Sequence, residues 1–595
     1  MDYEIQDIET IHQKFQTIIE NNQKYNNQIS EREAILYDTF IQKLLAADIE
    51  GNVHLANLKM SYGIVRKNSV ILQYARRLLE HGNLTTEEVS IIENILRIKR
   101  CKSHSGVLVV TIFTSPYPEY INKEGDKVMQ AFTCKWNCHY CPNQPGQPRS
   151  YLEGEPGVLR ANANEFDCCR QMWDRMETLY NTGHPIDKLE VLVLGGTWES
   201  YPEEYRKEYI RDMYYAANTF WNEPSTRRMK ASLAIERDTN RDAVCKIIGL
   251  TLETRPDNIS EKSILDAREL GCTRFQIGIQ HTDDEILRKI NRKCPTYKTI
   301  QAIELLKDWG YKVDGHWMPN LPGASPEKDR WMLVDQLLGQ ECPMKIVPSK
   351  VDGIHEWCVW SIAFPEFQLD QWKIYPCEVV PYTEIQKWHE DGTYKPYSET
   401  ELEPILLDVK RNMFPWIRLN RIIRDIPTDY IISSGDHPNM RQSLQLKMKK
   451  KGWKCQCIRC REVKQNKVPD EIFYRVYEYE ASNATEYFIA AENPVGDILC
   501  GFVRLRVKDT MEKAWIRELH VYGQLQKTHA KNIESTPTTA TQHKGIGKQL
   551  MEFAKKIAVF HQKTSIWVIS GEGTKRYYEK LGYTEGVYGY MTIAL

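Results

Sequence analysis

The chain has 595 residues, of which 42% are hydrophobic and 27% charged, and its formal net charge is -1. Such a length allows several domains of about 100–200 residues each. The balance excludes a membrane-spanning chain, since no apolar run is long enough, and a nucleic-acid partner drawn by bulk charge; local patches would have to carry that contact.

Residues 1–95 read as a helical N-terminal segment. Ile35, Leu36, Ile41, Leu44 and Leu45 recur at helical spacing, as do Ile71, Leu72, Ala75, Leu78 and Leu79. Nine Lys/Arg against fourteen Asp/Glu make this segment mildly acidic. The opening MDYEIQDIET lacks the basic and apolar regions of a signal peptide. A cytoplasmic or nuclear location, with no membrane contact, is the resulting expectation. Sixteen cysteines in so long a chain suit metal binding better than a secreted disulfide scaffold.

From 96 to 440, β-like runs alternate with helical stretches. The runs are Val107–Thr114, Leu189–Leu194, Leu250–Glu253, Arg274–Gln280, Tyr311–Trp317 and Lys373–Tyr375, with helices such as Phe166–Tyr180 and Thr299–Trp309 between them. Six strand–helix units predict an α/β fold built on a partial TIM-type (β/α)6 barrel. Chemistry in such folds sits after the C-terminal ends of the strands. Residues 441–468 then form a basic, Cys-rich linker, with ten Lys/Arg against the single acid Glu462. In 469–595 the runs Ile472–Tyr479, Tyr487–Ala491, Ile498–Val507 and Ala514–Val521, helices near 545–560 and 574–581, and the strand Ser565–Ile569 predict a smaller α+β domain. Tyr522–Thr541 reads as a polar loop.

After the first barrel run comes Cys134-Lys-Trp-Asn-Cys138-His-Tyr-Cys141. A structural zinc normally closes with four ligands. Three thiolates on a [4Fe-4S] cluster leave one iron open, here for S-adenosylmethionine; the alternative from the motif alone is a zinc knuckle whose fourth ligand lies elsewhere. Tyr140, inside the motif, could pack beside that cofactor's adenine or simply fill the loop. Gly195 and Gly196 end the strand VLVLGG and would let a backbone edge approach the methionine part of the cofactor. Glu253, ending a strand in TLETRPD, could accept a hydrogen bond from a ribose hydroxyl; otherwise it is a surface charge or ion pair.

Cys455, Cys457 and Cys460 form a second trio, suited to structural zinc, with Cys377, His389 and His437 as equal candidates for a fourth ligand. The basic run around them carries Trp453. Lys and Arg neutralise phosphates and aromatic rings stack on bases, so RNA contact is expected there. Gln542-His-Lys-Gly545-Ile546-Gly547-Lys548 opens an amphipathic helix and matches the Q/RxxGxG pyrophosphate loop of acetyl-coenzyme A binders. Tyr577 and Tyr578 follow, and one of them could protonate the coenzyme's thiol leaving group.

These residues resemble the catalytic subunit family of Elongator, tRNA-uridine carboxymethyltransferases with fused radical-SAM and GNAT-like acetyltransferase domains. The resemblance runs from about residue 90 to the C-terminus. It is carried by Lys99-Arg100, DKLEVLVLGGT, TLETRPD, GCTRFQIGIQ, MPNLPG, KIYP, RDIP, RELHVYG and YYEKLGY, in that order. It implies that Cys134, Cys138 and Cys141 hold the cluster. It implies that Lys188 serves acetyl-CoA handling at the radical site, and that Glu518, Leu519, His520 and Val521 line the coenzyme pocket with Ile546 to Lys548. Tyr578 would lie close to the thioester. The implied reaction takes a hydrogen from the acetyl methyl group with a deoxyadenosyl radical, adds the carbon to C5 of a tRNA wobble uridine, and leaves 5-carboxymethyluridine after thioester hydrolysis. Further Elongator-type subunits are possible partners. The family's gap between the first two cluster cysteines is usually longer, and Pro343–Gln371 exceeds its usual connection. The acidic N-terminus here gives no reason to place tRNA binding on residues 1–90. Two other readings stay open: a protein lysine acetyltransferase with the barrel as scaffold, and a non-catalytic RNA-binding partner.

Overall fold

The computed structural model describes residues 29–46, 51–98, 105–339, 343–432, 440–464, 468–523 and 545–595. No helix among them is long and apolar enough to cross a membrane. Gln542 and His437, singled out above, lie outside the described residues, as do Lys99-Arg100. The chain divides into two units, 1–103 with 174–186, and 104–173 with 187–595.

The first unit is helical where described. Helices Glu31–Ala46, Gly51–Ser61, Asn68–Glu80 and Thr86–Leu96 bury Phe40, Ile41, Leu44, Ile71, Leu72 and Ile92. The last helix starts on a capping box: Thr85 accepts from the Glu88 amide and the Glu88 side chain accepts from the Thr85 amide. Arg76 and Glu93 form a buried ion pair, and Arg76 also donates to the Tyr180 carbonyl at 3.1 Å. Residues 174–186 thus belong with this unit rather than with the barrel.

The second unit holds two sheets. One has seven parallel strands: Leu108–Phe113, Lys188–Leu194, Lys246–Thr254, Arg274–Gln280, Lys312–Trp317, Gln371–Ile374 and Arg418–Arg421, in spatial order. Six are those expected. The seventh went unread because RLNR has no apolar run. Register puts Val191, Leu250 and Leu252, Phe275, Val313, Trp372 and Leu419 on one face, where they are buried. The other face carries Glu190, Thr251 and Glu253, Arg274 and Gln276, Asp314 and His316, and Gln371 and Lys373. Since side chains alternate across a strand, the apolar face packs outward on the helices and the polar face lines the interior. The fold is a curled, open half-barrel.

The other sheet has nine strands. Seven come from the C-terminal region: Phe473–Glu480, Thr485–Glu492, Leu499–Val507, Lys513–Val521, Ser565–Val568, Thr584–Glu585 and Met591–Ala594. The remaining two, Met344–Val347 and Glu356–Trp360, come from the long connection before the sixth barrel strand, and Glu356–Trp360 pairs in parallel with Phe473–Glu480. The extra length of that connection is therefore spent widening the C-terminal sheet.

Buried charges join this sheet to the barrel. Asp370 pairs with Arg517, and Glu518 pairs with Arg504 at 2.9 Å and with Arg274 of the fourth barrel strand at 3.5 Å. Burial alone would raise the Glu518 carboxyl, but Lys312, Arg504 and Arg274 outweigh it and hold its pKa at about 2. A depressed folded-state pKa stabilises above the unfolded value and is lost as pH falls through the folded one. Glu518→Gln is expected to lower stability by about 3 kcal/mol at pH 7. In urea unfolding the gap to wild type should shrink as pH drops from about 4.3 towards 2; a gap independent of pH would show that the pair is not ionised as described.

Candidate functional site

The cysteine loop leaves the first barrel strand and lies at the C-terminal ends of the strands, the roof of the half-barrel. Cys138 is buried; Cys134 and Cys141 are half-buried. The loop is held from several sides. The His139 amide donates to the Ile290 carbonyl (3.0 Å), Asn291 to the Asn137 carbonyl (2.8 Å), and the Trp136 indole to Asp257 (3.0 Å). Arg255 Nη1 lies 3.5 Å and Arg292 Nη1 3.8 Å from Cys138 Sγ. Burial works to raise the Cys138 thiol, but Arg292 and Arg255 overcome it and hold its pKa below the ordinary value. For Cys141 burial prevails over Arg149 and pushes the thiol up. Cys134 Sγ is 3.6 Å from Thr197 Oγ1. Tyr140 is buried with Ile286, Ile290 and Cys377.

Among the described residues, Cys455, Cys457 and Cys460 alone gather within 4.8 Å as ligands for one ion. Thiolates on a four-iron cluster each bind a different iron and stand further apart than ligands of one ion. The first trio, wider and flanked by two guanidiniums, fits such a cluster with one iron left open.

Gly195 and Gly196 close the second barrel strand at φ 137° and 102°. A Cβ on Gly195 would run into Thr114 Oγ1. The Gly196 amide donates to Glu253 Oε2 at 3.4 Å, and Tyr151 Oη donates to the same oxygen at 2.9 Å. Burial raises the Glu253 carboxyl pKa. Two separate sequence signals, the glycine pair and the strand-end glutamate, thus meet beside the thiol loop. Sequence reasoning missed Tyr151, Arg255, Arg292 and Glu199. Glu199 accepts from Thr254, and burial pushes its carboxyl up to about 7. Arg255 directly follows Thr254 in TLETRPD and could have been found there; nothing local marks Arg292.

Lys188 sits at the opposite end, first in the second strand, where burial lowers its pKa. This N-terminal end of the barrel, its floor, also meets the coenzyme-type strand. Glu518 is committed to its ion pairs, while His520 Nε2 donates to the Ser105 carbonyl at 2.7 Å. Gly545 begins the helix Ile546–Phe560 at φ 78°. A Cβ on Gly547 would approach Tyr577 Oη to 2.8 Å and Val521 to 3.5 Å, so this helix start, Val521 and Tyr577 form one wall. Backbone amides at a helix start suit a pyrophosphate. Tyr578 is buried against Tyr577 and Tyr583, with ring centroids 5.3 Å and 6.0 Å away, and burial raises its phenol well above the usual value. It therefore stays protonated near neutral pH.

The second thiol trio corrects one expectation. Cys377 lies under the first thiol loop and its carbonyl accepts from Asn320, while His389 Nδ1 is 3.3 Å from the Tyr394 carbonyl; neither joins Cys455, Cys457 and Cys460. The thiol turn is tied to the seventh barrel strand: Ile458 N donates to the Ile417 carbonyl (3.0 Å) and Arg459 to the Asn420 carbonyl (2.7 Å). The basic run divides. Arg441, Arg459 and Arg461 are spent on internal hydrogen bonds, whereas Lys447, Lys449, Lys450, Lys451 and Lys454 are exposed on and after the helix Met440–Lys450. Arg411 and Lys451 each lie 4.5 Å from the Trp453 ring centroid.

Comparison with known proteins follows this division. Residues 131–333 match the radical SAM superfamily, 369–450 the radical SAM C-terminal domain, and 459–583 the acetyltransferase (GNAT) family. The chain is 34% identical over 536 residues to a tRNA uridine(34) acetyltransferase of Methanocaldococcus infernus, covering 87% of this chain and 89% of that one. It is 32% identical over 508 residues to Elongator complex protein 3 of Homo sapiens, covering 82% and 84%. The solved structure of the archaeal Methanocaldococcus infernus Elp3 with an N-terminal deletion superposes with a TM-score of 0.64 at 33% identity, covering 82% of this chain and all of that one. Identity at this level, sustained over most of each relative, places the chain in the family of Elongator complex protein 3 and the tRNA uridine(34) acetyltransferases.

Proposed function

We propose that this chain modifies the wobble uridine of tRNA, forming 5-carboxymethyluridine from acetyl-CoA at the roof of the half-barrel. What supports the reading is one arrangement: a guanidinium-flanked thiol trio at one end of a polar barrel and a GNAT-type coenzyme fold docked on the other. A [4Fe-4S] cluster held by Cys134, Cys138 and Cys141 would supply the electron that cleaves S-adenosylmethionine into a radical. The chain's own part is placement. Arg255 and Arg292 offset the negative charge gathered on Cys138. The Gly195–Gly196 edge, anchored through Glu253, leaves room for the cofactor's methionine part, and Tyr140 walls its loop. At the floor, the Gly545–Lys548 helix start takes the coenzyme's pyrophosphate beside Val521, and the protonated Tyr578 hydroxyl donates to the departing thiolate. Lys188 lies on the barrel floor and serves the acyl end. Cys455, Cys457 and Cys460 hold zinc, which fixes the basic helix against the seventh strand.

The relatives' names speak of tRNA, and here the exposed lysines after Met440 with Trp453 provide a surface for phosphates and a stacking base. Reversing Lys449, Lys450 and Lys451 to Glu is expected to weaken tRNA binding and to flatten its log–log salt dependence by up to about 2–3. An unchanged slope in filter binding across a salt series would assign tRNA to another face. Cys138→Ala should cut iron in anaerobically reconstituted protein from about four atoms per chain to well below that. It should also abolish reductive cleavage of S-adenosylmethionine and wobble-uridine modification. Full tRNA modification by that variant would favour the acetyltransferase-only reading instead. Cys457→Ser is expected to lose one zinc per chain by elemental analysis while its iron content is unchanged.

A further inference from the structure

The segment Thr254-Arg255-Pro256-Asp257 closes the third barrel strand and turns towards the thiol loop. Pro256 opens a single 3-10 turn, in which the Asn258 amide donates to the Arg255 carbonyl at 3.1 Å. Proline's fixed φ suits that first position. The turn sets Asp257 against the side chain two residues before it. Arg255 Nε donates to Asp257 Oδ1 at 2.9 Å and Nη2 to Oδ2 at 3.1 Å. Nη2 also donates to the Arg292 carbonyl at 2.6 Å. Nη1, on the edge that Asp257 leaves free, has Cys138 Sγ as its acceptor at 3.5 Å. Asp257 Oδ2 accepts in turn from the indole of Trp136 at 3.0 Å, and Trp136 stands in the thiol loop between Cys134 and Cys138. These contacts close a ring that runs from Cys138 through Arg255, Asp257 and Trp136 and returns along the loop.

Arg255 is 4% exposed and Cys138 6%, so water screens their contact little. Arg292 Nη1 reaches the same sulfur at 3.8 Å, but its Nη2 goes to the Gly278 carbonyl and its buried Nε has no hydrogen-bond partner. Arg255 differs in that each of its three nitrogens has an acceptor, and a carboxylate grips two of them. Its remaining nitrogen is therefore held on the sulfur in one orientation. Uptake of one electron by a cluster on this trio adds one negative charge beside Cys138. A buried cation fixed on that sulfur favours the more negative state, and hydrogen bonds to sulfur are among the means by which a protein sets a cluster's potential. Lys135, next to Cys134 on the same loop, is exposed. Its charge is screened by solvent and carries far less of this effect.

We infer that Arg255, locked by Asp257 and Trp136, is a positioning residue that raises the reduction potential of the cluster on the first thiol trio. It thereby eases entry of the electron that S-adenosylmethionine cleavage consumes. The inference rests on the cluster reading above. Its test uses the full chain, reconstituted anaerobically and without S-adenosylmethionine. Titanium(III) citrate supplies one electron per cluster at stepped potentials set with mediator dyes, and EPR reads the reduced form. Arg255→Gln with the iron content of wild type should be harder to reduce. At the wild-type midpoint its reduced-to-oxidised ratio should fall roughly tenfold, a shift of about 59 mV for one electron. Lys135→Gln removes the same charge from an exposed site and should shift the midpoint far less. Arg255→Lys keeps the charge but cannot hold Asp257 and the sulfur together. It should show a smaller fall, and it replaces Arg255→Gln if that variant takes up too little iron. An unmoved midpoint in the iron-replete Arg255 variant, or an equal shift from Lys135→Gln, would overturn the inference. So would loss of iron from both Arg255 variants, which would make the residue one of cluster assembly. Those results leave the cluster reading standing; wild type without a reducible four-iron EPR signal would bring down both.

Discussion

The pairing of Asp370 with Arg517 is the constraint on which the arrangement of the larger unit depends. Asp370 precedes the sixth barrel strand, and its carboxylate also accepts from the Val313 amide at 2.8 Å, so it is bound to the fifth strand as well. Arg517 stands in the middle of the coenzyme-type strand and donates to Glu486, which in turn accepts from Lys307 at 3.0 Å and from Tyr479 at 3.0 Å. All of these side chains are buried. A buried charge stripped of its partner costs about 3–5 kcal/mol. Sliding one sheet over the other would strand several at once, so the two sheets have few ways to meet. The observed way brings the end of the Lys513–Val521 strand to the barrel floor.

That docking gives the polar interior its meaning. On the third to sixth strands the half-barrel's outer face is Leu, Ile, Phe, Val and Trp and its inner face is mostly Glu, Gln, Asp, Lys and Arg, and the apolar side is satisfied by helices. The inner face is then free to serve ligands. At the roof, Arg255 and Arg292 flank the Cys138 thiol and lower its pKa; at the floor, Arg274 and Lys312 balance Glu190 and Glu518. The thiol loop at the roof and the C-terminal sheet at the floor are thus kept about a strand's length apart.

Much of this was legible in the chain. The strand–helix alternation, the CxxxCxxC loop after the first strand and the GxG helix start in the C-terminal region depend on local spacing and turn chemistry, and each appears where it was expected. Other parts were not. RLNR lacks an apolar run because it is an edge strand facing a polar interior. The connection Pro343–Gln371 reads only as longer than usual, because nothing local says that its Glu356–Trp360 will pair with Phe473–Glu480, more than a hundred residues later. Of the tyrosine pair, only packing could tell that Tyr577 meets the glycine loop while Tyr578 is buried.

By itself the sequence determined which donor groups stand close together, since residue type and spacing sit within a few residues: three thiols in one loop, three in another, and glycines at a helix start. Only the tertiary structure decided where those groups face. Cys377 was assigned beneath the first thiol loop and away from the second, Glu253 was joined to Gly196, and Arg292 was brought to Cys138. Those outcomes follow from burying charge in pairs and apolar faces against helices, both of which act between residues far apart in the chain.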